Sequence, residues 1–132
     1  MTAPRGGEGA PASGWERLAQ AVADVLPPAD VDGVWVFAPV RREDKEWGTA
    51  VVSRVDGGRR RIYTAGYVLT LKGRERGKFE STIIEVGSGP MEALARVLQD
   101  AQRRTDDEHP PFSVSPDAWF SSAGARVDGQ PR

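Results

Sequence analysis

Apolar positions recur at helical spacing near the start of the chain, at Trp15, Leu18, Ala19, Val22, Val25 and Leu26, so that one side of an amphipathic helix is apolar. The preceding "SGWE" has the form of a capping box, with Ser13 placed for an orphan N–H and Glu16 reaching back. Pro27 and Pro28 end the helix because neither can donate to it. The pattern then changes to runs rich in β-branched and aromatic residues. Four strands are predicted, over 34–40, 47–55, 60–71 and 78–86. Pro39 suits an edge position, which makes the first strand a border of the sheet. "DGG" at 56–58 supplies cheap positive φ for a tight hairpin. In the third run Tyr63, Ala65, Tyr67, Leu69 and Leu71 alternate with Ile62, Thr64, Val68 and Thr70, and Gly66 marks an expected bulge. Phe79 and Ile83 of the fourth run are assigned to the face opposite Tyr63 and Tyr67.

After "GSGP", the residues Met91, Leu94, Val97, Leu98 and Ala101 form a second amphipathic stripe, and Arg103 and Arg104 suit its C-terminal dipole. "SPDAWF" places Ser115 as N-cap of a short helical anchor carrying Trp119 and Phe120. The expected fold class is α+β: an N-terminal helix, a four-stranded antiparallel β-meander, a C-terminal helix packed on one sheet face and a short docked tail. With both helices on one face, the other face is left open. Residues 1–12 and 121–132 are expected to be flexible tails around a single domain over 13–120.

A chain of 132 residues is long enough for one self-sufficient core. It has no cysteine, so disulfides and thiolate chemistry are excluded. No signal-peptide pattern or membrane-length apolar run is present, and a cytoplasmic location is expected. The net charge of −1 argues against a dedicated duplex-DNA binder. The charge is segregated, however. Arg54, Arg59, Arg60, Arg61, Lys72, Arg74, Arg76 and Lys78 lie within 54–78, against only Asp56 and Glu75.

In a meander the turns alternate between the two ends of the sheet. The loop 41–46 and the turn 72–77 should share one end, while Arg59, Arg60, Arg61 and "GSGP" share the other. The second end pairs arginines with a helix N-terminus, a possible small-anion site; glycines that merely turn a strand into a helix are the plainer explanation. The first end gathers Lys72, Arg74, Arg76 and Lys78 beside Trp47, the mixture of cations and exposed ring that holds single-stranded nucleic acid; a solubilising hairpin tip is the plainer explanation. Over residues 34–104 the order of strands and helix resembles the four-strands-plus-helix unit of Whirly and PUR-type single-strand binders. That resemblance is one of topology, carries no residue motif, and transfers no functional residue.

Catalytic chemistry has little to draw on. The single histidine, His109, lies in "DEHPP", and no Gly-x-Ser-x-Gly elbow accompanies it. Consecutive Asp106, Asp107, Glu108 and His109 diverge too far for a metal shell. Glu80 and Glu85 fall on opposite strand faces, so they do not form an acid/base pair. Neither enzyme activity, nor a cofactor, nor a metal is expected. The leading expectation is a small binding or adaptor domain, homodimeric or with a protein partner, using Trp35, Phe37, Phe79 and Ile83 on the free sheet face. Single-stranded nucleic-acid binding through the basic turns and Trp47 is the alternative, and no membrane contact is expected.

Overall fold

The computed structural model describes residues 14–89, 91–104 and 111–122. Helix α1 (Gly14–Val25) buries Leu18, Ala19 and Val22. Val25 points to solvent; Leu26, just past the helix, takes the buried place instead and its amide donates to the Val22 carbonyl at 2.8 Å. Ser13, the expected cap, lies outside the described residues. A 3-10 turn at Pro28–Asp30 leads into β1 (Val31–Val36), followed by β2 (Val40–Arg42), β3 (Lys45–Asp56), β4 (Arg59–Thr70) and β5 (Phe79–Ser88). Helix α2 (Met91–Arg104), the short β6 (Phe112–Val114) and helix α3 (Pro116–Ser122) complete the order.

The class is α+β with an antiparallel sheet, as the pattern predicts, but the sheet has six strands rather than four. Its path is β5-β4-β3-β1-β6, with β2 also paired to β3. Two features of the sequence produce the difference. Pro39 cannot donate to a ladder, so the first run splits there into β1 and β2, which pair with successive parts of β3. Three residues, Phe112–Val114, then add to the outer side of β1, too short a stretch to announce itself by alternation. The first strand is therefore covered by β6 and does not border the sheet.

Gly57 and Gly58 both have positive φ, as the tight β3–β4 hairpin requires. Gly66 sits in an unbroken ladder, between Thr49 and Thr82, and is not bulged. The irregularity lies at Ile62 and Tyr63, where β5 carries an extra residue between Glu85 and Gly87. Ser115 caps α3 through its side chain, to the Ala118 amide at 3.4 Å. The helix runs on through Ser121 and Ser122, past the expected end of order.

Helices cover both faces of the sheet. On the first face, α1 and α3 pack Leu18, Val22, Trp119 and Phe120 against Val34, Val52, Ala65 and Tyr67. On the second face, α2 packs Leu94 and Ala101 against Phe37, Val51 and Ile62. The expectation of helices on a single face is thus overturned. The central strands are apolar on both sides: Ala50, Val51 and Val52 are all fully buried, and consecutive residues of a strand point to opposite faces. A strand of that kind needs a layer on each side.

Candidate functional site

The charged loops meet as the meander dictates. At one end, the Leu71 amide donates to the Asp44 carbonyl at 2.7 Å, joining the loop after β2 to the turn after β4. At the other, the Gly89 amide donates to the Arg60 carbonyl at 2.9 Å and Arg59 donates to Ser88 Oγ at 3.2 Å.

At this second end Arg60 and Arg61 of the expected anion site are met by carboxylates. Arg60 pairs with Asp32 at 2.8 Å, and the fully buried Ser53 hydroxyl donates to the same carboxylate at 2.6 Å. Arg61 pairs with Asp56 at 3.0 Å and with Glu85 at 3.3 Å. Asp56, Arg59, Arg61, Glu85 and Ser88 line a cavity of about 210 Å³ whose charges are of both signs. At the first end Lys72, Arg74 and Arg76 are exposed, and Lys78 lies 3.7 Å from Glu80. Arg41 turns to Glu46 at 2.7 Å, and Lys45 donates to Thr70 Oγ1 at 3.2 Å.

The aromatic candidates separate. Phe37 is 1% exposed, sealed in the core beneath α2, and Trp35 packs against the same core. Phe79 and Ile83 lie on the same face as Tyr63 and Tyr67, the reverse of the expectation. The turn sets Leu69 opposite Phe79 and Ala65 opposite Ile83, so odd-numbered residues of both strands share a face. Phe79 stacks on Tyr67 with centroids 5.5 Å apart, and the Arg17 guanidinium lies 4.4 Å above the Phe79 ring. Trp47 alone of the four tryptophans is substantially exposed, at 39%, on the second face opposite Val68.

The residues beside Trp47 escaped sequence reasoning. Helix α2 covers only part of the second face. Across β3, β4 and β5 it leaves a strip in which Thr49, Thr64, Gly66, Thr82, Ile84 and Val86 line an open concavity of about 360 Å³. Gly66 forms its low floor, flanked across the ladder by Thr49 and Thr82. Ile84 and Val86 are 53% and 44% exposed. None of these lining side chains is charged. Alternation in β5 carried the signal, since Thr82 and Ile84 occupy the face that Phe79 and Ile83 do not.

A second cluster also went unread, on the first face. Glu46 is buried, accepting from Arg41 Nε at 2.7 Å and from the Tyr67 hydroxyl at 2.6 Å. The Tyr67 ring is held edge-on by Trp15 and passes between Gly14 and Gly48, at each of which a Cβ would fall within 2.5 Å of the ring. Burial, and then the neighbouring Glu46 carboxylate, push the Tyr67 pKa far above its ordinary 10.0. This phenol holds its proton, and the cluster ties α1 to the sheet.

Among the described residues no group of three or more His, Cys, Asp or Glu is placed to hold a metal, and no helix is long and apolar enough to cross a membrane. His109 and the acidic residues before it lie outside the described residues. Comparison with protein-family models, curated proteins and solved structures finds no match to this chain.

Proposed function

We propose that the chain is a non-catalytic binding module that contacts another protein through the open strip of the second sheet face. The observation that carries this reading is a surface with exposed Trp47, Ile84 and Val86 and uncharged side chains around its concavity. Covering it removes apolar area from water and desolvates only threonine hydroxyls, which are cheap to satisfy compared with charges. Aromatic and aliphatic groups at the centre with charges at the margins is the usual anatomy of a protein contact. Here Glu80 and Lys45 stand at the margins of the strip on that face.

The test is a photo-crosslinking residue at position 84, in the chain expressed in its native host, against the same residue at the exposed Ala95 of α2. A protein adduct at 84 and none at 95 is expected. Equal labelling, or none at 84, overturns the reading.

A second reading, single-stranded nucleic-acid binding, draws on the Leu71–Asp44 hydrogen bond. That bond gathers Arg42, Lys45, Lys72, Arg74 and Arg76 at the Trp47 end of the sheet. Such binding would weaken steeply between ~50 and ~200 mM salt and be lost when Lys72, Arg74 and Arg76 are neutralised. Oligonucleotide affinity that is flat with salt, or no affinity at all, eliminates it.

A further inference from the structure

The outer edge of β5 adjoins the open strip. Strand β5 ends the sheet path, and among the described residues no strand pairs with its outer side. Proteins guard such edges with charges, prolines, bulges or shortness, because a free row of N–H and C=O groups invites another strand. This edge is long, at Phe79–Ser88, and its centre, Ser81, Thr82, Ile83 and Ile84, has neither charge nor proline. The bulge lies only near its end, beyond Glu85.

We infer that β5 pairs antiparallel with β5 of a second copy of this chain, with the two-fold axis at Thr82, so that the two open strips join into one surface. This pairing runs through the strand edge beside the strip, goes beyond the contact proposed above and leaves both strips open to that partner. Three observations select a second copy and this register. First, a two-fold contact sets the residue on the axis against its own copy, which a charged group resists; a hydroxyl, as at Thr82, both donates and accepts and so suits itself. Second, the part of β5 with a one-to-one ladder to β4 runs from Phe79 to Glu85, and its midpoint is Thr82. Pairing about that midpoint uses the whole regular segment and stops at the bulge. Third, the register sets no like charges opposite one another. Phe79 falls opposite Glu85 of the second copy, and the Arg17 guanidinium rests on the Phe79 ring. On the strip side Glu80 falls opposite Ile84 of the second copy, and the two Glu80 carboxylates are displaced by about four residues, ~13 Å along the strands.

The absence of cysteine makes the register readable by disulfide trapping. Light scattering on the full chain, over roughly 5 to 200 µM to expose a concentration-dependent equilibrium, should report twice the 14.3 kDa chain mass. Thr82→Cys should give a covalent dimer on mild oxidation. Glu80→Cys should not, because its symmetry mate lies far beyond the ~7 Å Cα separation that a disulfide spans. Ile84→Asp, which sets a carboxylate opposite Glu80 of the other copy, should dissociate the dimer, whereas Ile84→Lys should retain it; circular dichroism confirms that each variant is folded. A wild-type chain that stays monomeric overturns the inference, as does a dimer in which the Glu80→Cys variant crosslinks and the Thr82→Cys variant does not. The photo-crosslink at position 84 separates the two levels. An adduct with a different protein supports the strip contact and leaves the second copy to the scattering and disulfide results, while no adduct removes the strip contact alone.

Discussion

The Tyr67 hydroxyl donates to Glu46 Oε2 at 2.6 Å within the protein, and Arg41 occupies the other carboxylate oxygen. Removing the hydroxyl leaves a buried acceptor short of a donor, so Tyr67→Phe should cost ~1–3 kcal/mol near neutral pH. The pH dependence follows from the direction of the Tyr67 shift. The folded state holds this proton more tightly than the unfolded chain, whose tyrosine titrates at its ordinary 10.0. The contribution is complete below that pH and is lost as pH climbs above it toward the higher folded-state value. The stability gap between wild type and Tyr67→Phe should therefore narrow by up to about 1.4 kcal/mol per pH unit above ~10. Urea unfolding of both proteins at about pH 7 and about pH 11 measures it, and a gap unchanged between them would refute the assignment.

Gly48 leaves no room for a methyl group, since its Cβ would sit 2.0 Å from Tyr67 Cε2. Gly48→Ala should destabilise by ~1–3 kcal/mol, the usual range for overpacking. The same substitution beside Tyr67→Leu should cost clearly less. Thermal unfolding of the four proteins in this double-mutant cycle gives the coupling, and simple additivity would show that the ring is not the obstacle.

Phe37 and Phe112 test where the apolar surface lies. The first is fully buried beneath α2 and the second is 63% exposed on β6. Phe37→Ala should cost ~3–5 kcal/mol and Phe112→Ala under about 1 kcal/mol. Chemical denaturation midpoints decide it; equal costs would mean that α2 does not seal the second face.

Glu43 has a φ of 57° in the turn between β2 and β3. An ordinary L-residue is strained in this left-handed region, whereas asparagine tolerates it. Glu43→Asn should raise stability by ~0.5–1 kcal/mol, seen as a higher unfolding temperature. A lower one would mean that the carboxylate contributes more than the strain costs.

Much of the architecture was legible because it depends on local chemistry. The helical periods around Leu18 and Leu94, the proline stop after α1, the paired glycines of the β3–β4 turn and the Ser115 cap each act within a few residues. Which loops share an end followed from the alternation of an antiparallel meander. Charge segregation was equally plain, though the carboxylates that meet Arg60 and Arg61 come from Asp32, Asp56 and Glu85, up to 28 residues away in the chain for the Arg60–Asp32 pair.

The chain by itself determined the class, the order of helices and main strands, and the side of β4 on which Tyr63 and Tyr67 lie, because side-chain alternation and turn preferences are short-range. Tertiary structure alone decided which strands the helices cover and how β5 faces. A turn of one parity rather than the other moves every β5 side chain across the sheet, and that placed Phe79 and Ile83 against the core and Ile84 and Val86 at the surface. It also split the run at Pro39, brought β6 to the flank of β1 and set Glu46 under Tyr67. Each of these depends on register between segments distant in sequence, which no local pattern encodes.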